Sequence, residues 1–298
     1  MNLTLTPLAS NAPRLLRLAL VGWLWVAGQS VKADESKIFD SHVHLWHDEV
    51  SLQTYEENLR KSGIEVTAAG VMWFGGRNQA LAGRPEAIAA GNDAILALAA
   101  RHPKLIPIAT VHPYDDAAAL VELERVAAKG VKVLKIHPHT QRFDAADPRV
   151  LTLAQRAGEL GIVVMMDNAS IVPGDCEKLF NLALAAPRTR FLFAHLGGMN
   201  FRFWNILRAA RTAQGLFGEN IFFDISAMVA LVADSPMKEE FVWTMRSVGT
   251  ERILFGSDFP QFSVAQNLEA LGQLGLTAEE KEQILYGNAR ALLGLPDE

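Results

Sequence analysis

Short apolar runs alternate with longer amphipathic segments from residue 37 to the end of the chain. The runs are continuous rather than alternating in polarity, which is typical of strands in a parallel sheet that is covered by helices. Eight runs are predicted as strands, and they cover Ile38–His44, Glu65–Trp73, Leu105–His112, Val131–His137, Ile162–Asp167, Arg190–His195, Ile221–Ile225 and Arg252–Ser257. Predicted helices between them include Arg84–Arg101, Asp116–Lys129, Asp147–Leu160 and Asp175–Ala186.

The order and length of these elements predict the architecture. Repeats of about 30 residues match βαβ units, and a (β/α)8 barrel of about 250 residues fills the chain after its first 33 residues. A doubly wound open sheet is the alternative, but it would carry a glycine-rich loop after its first strand. The sequence there reads Asp40-Ser41-His42-Val43-His44. We therefore predict an α/β fold, a single TIM-like (β/α)8 barrel over residues 34–298.

The first 33 residues follow a different pattern. Arg14 and Arg17 precede an apolar run over residues 18–28, and the triplet Val31-Lys32-Ala33 follows it. A basic flank, a short apolar core and a small-residue cleavage site are typical of a secretory signal peptide, whereas a membrane span needs about 20 apolar residues. We predict a signal peptide over residues 1–33, export to the periplasm, and no stable membrane association after cleavage. An uncleaved anchor or a start assigned too early are the alternatives.

Composition and charge exclude several classes of protein. Half of the residues are hydrophobic and a fifth are charged, which excludes an intrinsically disordered chain. The only cysteine, Cys176, excludes a disulfide scaffold. The first 33 residues carry three basic residues and no acid, so their removal changes the net charge from −5 to −8. This acidic balance argues against a nucleic-acid partner.

Ionisable residues stand where the predicted strands end. His42 and His44 end the first strand, Asp167 the fifth and His195 the sixth, while Asp258 follows the eighth. These ends form one face of a barrel, which holds the active site in this fold. Histidines two positions apart on a strand point to the same side, and barrel closure places Asp258 beside them. Imidazole and carboxylate ligands suit zinc or a similar divalent ion.

Five motifs in this order resemble the amidohydrolase superfamily. They are Phe39-Asp40-Ser41-His42-Val43-His44, Leu134-Lys135-Ile136-His137-Pro138, Phe193-Ala194-His195-Leu196-Gly197-Gly198, Ile253-Leu254-Phe255-Gly256-Ser257-Asp258-Phe259-Pro260 and Tyr286-Gly287-Asn288-Ala289-Arg290. The resemblance is to the amidohydrolase-related branch that includes aminocarboxymuconate-semialdehyde decarboxylase, and it runs from about Lys37 to Leu293. It implies a distorted barrel, one divalent metal ion (zinc, with manganese as the alternative), and hydrolysis or non-oxidative decarboxylation of a small substrate.

The resemblance also implies roles for individual residues. His42 and His44 match the metal ligands of the first strand, and Asp258 matches the ligand or proton acceptor of the eighth. His195 matches a catalytic histidine that polarises a carbonyl group or moves a proton. Asp167 stands where the family has a histidine ligand, so we interpret it as a metal ligand in that position; a weakened metal site is the alternative.

Other polar and aromatic residues receive weaker interpretations. Lys135 and His137 share one orientation on the fourth strand and are predicted to bind substrate, with a buried ion pair as the alternative for Lys135. Asp224 is a candidate hydrogen-bond partner for a ligand histidine. Five aromatic residues either wall an apolar pocket or pack between helices, namely Trp73, Phe74, Phe201, Phe203 and Trp204.

The function predicted from these observations is that of an enzyme, a metal-dependent hydrolase of an amide, ester or lactone that uses a metal-activated water. Decarboxylation of a small aromatic or unsaturated acid on the same site is one alternative. A catalytically inactive exported binding protein is the other. The partner is a small-molecule substrate, and the oligomeric state is left open, a homodimer being compatible with the branch.

Overall fold

Eight parallel strands, hydrogen-bonded in sequence order, form the centre of the fold. The computed structural model describes residues 37–76, 78–212 and 218–295, so the predicted signal peptide lies outside the described residues. The strands are β1 (Phe39–His44), β2 (Ala68–Met72), β3 (Leu105–Ala109), β4 (Val133–Ile136), β5 (Val163–Met166), β6 (Phe191–Phe193), β7 (Ile221–Asp224) and β8 (Ile253–Leu254).

Helices follow the strands around the outside. They are α1 (Asp48–Ser62), α2 (Pro85–Arg101), α3 (Ala117–Ala128), α4 (Pro138–Gln141), α5 (Pro148–Glu159), α6 (Asp175–Ala185), α7 (Ile206–Ala210), α8 (Met228–Val232), α9 (Lys238–Val248), α10 (Val264–Gln273), α11 (Ala278–Glu282) and α12 (Asn288–Leu293). Short 3-10 segments cover Pro113–Asp115 and Thr250–Arg252, and a π-helical turn covers Gln283–Gly287. Ala194–Asn205 is a loop with 3-10 turns, interrupted by non-helical residues from His195 to Gly198. Within the described ranges, no helix has the length and apolarity needed to cross a membrane.

The barrel closes between β1 and the chain after β8. The amide of Ser41 donates to the carbonyl oxygen of Phe255 at 3.1 Å, and the amide of His44 donates to that of Phe259 at 2.8 Å. The buried carboxylate of Asp40 accepts from the Ser257 amide at 2.7 Å, the Ser257 hydroxyl at 2.6 Å and the Tyr55 hydroxyl at 2.9 Å. We call this contact between β1 and residues 255–259 the seam.

Two apolar layers stabilise the barrel, and alternate strand residues belong to each. In β5, Val163 and Met165 pack in the barrel interior, whereas Val164 and Met166 pack against the surrounding helices. Residues of α12, such as Leu292, join the interior cluster and cover the end at which the strands begin. The opposite end is left open for the polar residues that follow the strands.

The predicted (β/α)8 barrel is confirmed. Each predicted strand exists but is shorter than expected, while the predicted helices agree within one residue at each end. The Asp147 carboxylate accepts from the Arg149 amide at 2.9 Å and begins α5 as expected, and Gly130 and Gly161 take the positive φ angles of helix ends.

Candidate active site

His42 and His44 lie at the end of β1, and their Nε2 atoms both face Oδ1 of Asp258. The Nδ1–H of His44 donates to the carbonyl oxygen of Phe74 at 2.7 Å. The Nδ1 of His42 lies 3.2 Å from Oδ2 of Asp224. When one ring nitrogen donates in this way, the tautomer is set and the other nitrogen keeps its lone pair for a metal.

Asp258 completes this group from the other side of the seam. Its amide donates to the carbonyl oxygen of His42 at 2.9 Å, which fixes the residue at a φ of 63°. Its Oδ1 lies 3.5 Å from Nε2 of His42 and 3.4 Å from Nε2 of His44, and its Oδ2 accepts from Nε2 of Gln261 at 3.1 Å. Two imidazole nitrogens and one carboxylate oxygen therefore converge, a donor set that fits a divalent ion such as zinc.

The electrostatics of the group also suit a metal. Burial and the charge of Lys135 lower the pKa of His42 to about 4, and they lower the pKa of His44 as well. Burial would raise the pKa of Asp258, but the adjacent histidines hold it well below its usual range. At neutral pH both imidazoles are therefore uncharged and the carboxyl group is ionised, as metal ligands must be.

Asp224 contacts the Nδ1 side of His42, opposite the Nε2 atom that faces Asp258. Its Oδ1 accepts from the amides of Ser226 at 2.9 Å and His195 at 3.1 Å, and also from the Ser226 hydroxyl. Burial would raise the pKa of Asp224, yet His42, His195 and the Ser226 hydroxyl lower it to about 2. A carboxylate behind a ligand histidine is the arrangement that orients such ligands in metal sites.

His42, His195 and Asp224 form a second close group, which we interpret as a hydrogen-bonded cluster. The Nδ1 of His195 lies 3.0 Å from the carbonyl oxygen of Ser226, to which it can only donate. The Nδ1 atoms of both rings therefore already serve hydrogen bonds.

Lys135 lies on β4, is 1% exposed, and its ammonium contacts Nε2 of His42. Burial lowers the pKa of Lys135, while the carboxylates of Asp167, Asp258 and Asp224 oppose that effect. One lone pair cannot accept from an ammonium and bind a metal together. Lys135 must therefore release His42 when that nitrogen becomes a ligand.

Asp167 follows β5 and contacts two histidines. Its Oδ2 lies 3.2 Å from Nε2 of His195 and 3.3 Å from Nε2 of His137. Burial would lower the pKa of His195, but Asp167, with Asp258 and Asp224, raises it to about 9; burial lowers the pKa of His137 to about 4. The structure thus places Asp167 beside His195 and His137, outside both close groups of candidate metal ligands among the described residues.

A cavity of about 550 Å³ opens above these groups. All seven predicted site residues line its floor: His42, His44, Lys135, His137, Asp167, His195 and Asp258. Its wall includes Trp46 and Phe262, which sequence reasoning missed although they follow the two strands that bear the metal motifs. The five aromatic residues left open from the sequence lie elsewhere, and Phe74, Phe201 and Trp204 are fully buried in packing.

A known protein family and several solved structures resemble this chain. The amidohydrolase family model matches residues 39–295. The chain belongs to the amidohydrolase family. No curated protein sequence is significantly similar to this amidohydrolase.

Solved structures share the fold of this amidohydrolase. A candidate amidohydrolase from Staphylococcus aureus is 20% identical, with a TM-score of 0.69 over 87% of this chain and 100% of that one. The 2,6-dihydroxybenzoate decarboxylase from Rhizobium is 17% identical, with a TM-score of 0.66 over 87% and 99%. A candidate 2-pyrone-4,6-dicarboxylic acid hydrolase from Pseudomonas putida is 19% identical, with a TM-score of 0.62 over 89% and 100%. The predicted membership of this enzyme family is confirmed.

Proposed function

We propose that this amidohydrolase is a metal-dependent hydrolase of a small amide, ester or lactone. The convergence of Nε2 of His42, Nε2 of His44 and Oδ1 of Asp258 at the floor of the cavity carries the proposal. These residues would hold one divalent ion, zinc in our proposal with manganese as the alternative. A bound ion of this kind lowers the pKa of water toward neutrality and polarises a carbonyl group.

The protein's own residues supply the proton transfers and the charge. Asp258 is held as a carboxylate by the adjacent His42 and His44, so it accepts the proton of the attacking water and passes it to the leaving group. The His195 imidazolium contributes positive charge as the carbonyl oxygen becomes negative. Lys135 and His137 line the floor and orient the substrate oxygen atoms.

Asp167 acts in this scheme as the charge partner of His195. Its Oδ2 contacts the imidazole at 3.2 Å and balances the positive charge during the reaction. Its role as a further metal ligand stays a prediction. Metal titration of Asp167→Ala tests that role, since a ligand would be needed for tight binding whereas a charge partner would not.

Decarboxylation on the same site is the second candidate, favoured by the structural likeness to 2,6-dihydroxybenzoate decarboxylase. Lys135 and His195 would receive the substrate carboxylate, and Asp258 would have to deliver a proton to carbon. The adjacent histidines hold the pKa of Asp258 well below its usual range and keep the carboxyl group ionised, a form that accepts protons more readily than it donates them. This charge state places hydrolysis first.

The test begins with the metal content of protein purified without chelators. We expect one bound divalent ion per chain, lost in His42→Ala and Asp258→Ala but kept in His47→Ala, whose side chain is exposed on the same loop region. The metal-loaded protein is then given panels of lactones, esters, amides and hydroxybenzoates. Hydrolysis products support the proposal, and carbon dioxide without them supports the decarboxylase. A protein that binds no metal and shows no metal-induced thermal shift would instead be an inactive binding protein.

Export of this enzyme to the periplasm is a separate proposal, based on the sequence of residues 1–33. The mass of the protein recovered from the periplasm tests it. We expect a chain that begins at Asp34, and a full-length chain in the cytoplasm would contradict the proposal.

A further inference from the structure

Apolar side chains lie around much of the mouth of the cavity, and they come from the segments that follow five different strands. Trp46 follows β1, Ile171 follows β5, Met199 follows β6, Leu231 lies on α8 after β7, and Phe262 follows β8. Ile171, Met199 and Leu231 are 64%, 55% and 49% exposed. A single exposed apolar residue is ordinary, but several around one concave site indicate a surface that a ligand covers.

The α8 helix connects the inner part of this wall to its rim. Met228 begins the helix, is 4% exposed and lines the cavity, while Leu231 also lines it but is half exposed to solvent. Residues three positions apart lie on one helix face. The two side chains therefore form a continuous apolar strip from the interior of the cavity to its rim.

Polarity in the cavity is divided between floor and wall. Most of the ionisable groups occupy the floor around His42 and Asp258. The wall above them consists mainly of aromatic, thioether and aliphatic side chains, and its polar members are the exposed His139 and Gln261 and the partly buried Thr140. A volume of about 550 Å³ lies within the range of pockets that hold drug-sized ligands, about 300–1,000 Å³. The cavity therefore has room for an apolar body of several carbon atoms beyond the group that reacts.

We propose that the substrate is a carbonyl compound with a single polar head and an apolar chain or ring, whose head lies on the cavity floor and whose apolar body lies against Trp46, Met199 and Leu231. This inference rests on the proposed function for the identity of the head group. It adds that affinity increases with the length of the apolar body and that a second charged group at the far end is disfavoured, because that group would lose water against the apolar rim.

Binding of straight-chain carboxylates to the metal-loaded full chain tests the proposal without turnover. Isothermal titration is carried out with the series from butanoate to octanoate and with octanedioate. We expect the affinity to rise about three- to fourfold per methylene, the equivalent of about 0.8 kcal/mol for each buried CH2, and octanedioate to bind more weakly than octanoate. A flat series, or tighter binding of octanedioate, would overturn the proposal.

Rim variants connect the length dependence to the named side chains. In Leu231→Glu and Met199→Glu we expect the gain per methylene to fall below about twofold, because a carboxylate at the rim keeps water there. Val121→Glu is the matched control, since Val121 is 66% exposed but lies on α3 outside the cavity lining. Thermal melts check that all three variants fold. Equal length dependence in the rim variants and the control would contradict the assignment.

Two further outcomes separate this inference from its alternatives. Octanoate binding with the expected length dependence would support the apolar site even if no hydrolysis were found, so that only the proposed reaction would fail. A second copy of the chain could also cover the rim. Sedimentation of the wild type and of Leu231→Glu tests this, and a dimer that the substitution dissociates would overturn the substrate assignment.

Discussion

Replacement of Asp167 by asparagine should change the proton affinity of His195 more than any neighbouring substitution. The carboxylate lies 3.2 Å from Nε2 of His195, and its hydrogen bond and charge are the main reasons that the pKa of this buried imidazole stands at about 9 rather than 6.5. That difference corresponds to about 3 kcal/mol in favour of the protonated form. In Asp167→Asn, burial becomes dominant, and we expect the pKa of His195 to fall below 6.5.

The raised pKa of His195 should also make the free energy of unfolding depend on pH. Because the pKa of His195 is higher in the folded than in the unfolded protein, its contribution is fully present below pH 6.5 and is lost as pH rises through about 9. The free energy of unfolding of the wild type should therefore decline by up to about 3 kcal/mol across this window. In Asp167→Asn that decline should disappear.

Imidazole proton resonances of chelator-treated protein give the measurement. The chain has eight histidines, and His195→Gln identifies the resonance in question. Asp144→Asn is the control, because Asp144 pairs with Lys178 at 2.8 Å and is half exposed, and it should leave His195 near 9. If His195 still titrates near 9 in Asp167→Asn, the assignment of Asp167 as its charge partner is wrong.

Four further substitutions test the seam and the surroundings of the metal group. Asp224→Asn should weaken zinc affinity about 10- to 100-fold in equilibrium dialysis, since the carboxylate orients His42. Asp40→Asn should lower the free energy of unfolding in urea by about 1–3 kcal/mol, because buried donors of the seam lose their acceptor; Tyr55→Phe removes one of these bonds and should cost about 1 kcal/mol. Gly198→Ala should cost roughly 1–3 kcal/mol or more in the same assay, because its Cβ would lie 2.0 Å from the Ala169 carbonyl oxygen.

Each of these predictions has an outcome that contradicts it. Zinc affinity unchanged in Asp224→Asn would mean that this carboxylate does not orient a ligand. If Tyr55→Phe lowers the free energy of unfolding more than Asp40→Asn does, the tyrosine hydroxyl and not the Asp40 carboxylate makes the main contribution to the stability of the seam. Gly83→Ala is the control for Gly198→Ala, because Gly83 also has a positive φ but has open space where a Cβ would lie. If both variants lose the same free energy of unfolding, the positive φ alone explains the effect and the contact with Ala169 does not contribute.

The fold could be predicted from the sequence because continuous apolar runs recur eight times and helix-end signals stand between several of them. The strand ends could not, because tertiary contacts shorten them. Residues 65–67 were predicted as part of a strand, but the Thr67 hydroxyl accepts from the Ile38 amide at 3.2 Å in a turn before β2. Residues after Leu254 leave β8 early, since the chain bends to bring Asp258 beneath His42.

The candidate site could likewise be predicted from the sequence only in part. The grouping of His42, His44 and Asp258 follows from strand spacing and barrel closure, so the sequence was sufficient to predict it. The contact of Asp167 with His195 depends on a loop in which His195 and Leu196 have φ angles of 62° and 44°. Non-glycine residues rarely adopt this conformation, and no periodic pattern indicates it.

The seam also determines when during synthesis the site can exist. Asp40 and Ser257, which join its two sides, stand 217 positions apart, so the candidate ligands meet only after nearly the whole barrel has left the ribosome. Contacts between residues so far apart in sequence form late, because closing a long loop costs conformational entropy before the stabilising contacts are made. A metal ion therefore has no complete site on a nascent chain, and its capture follows the folding of the last βα unit.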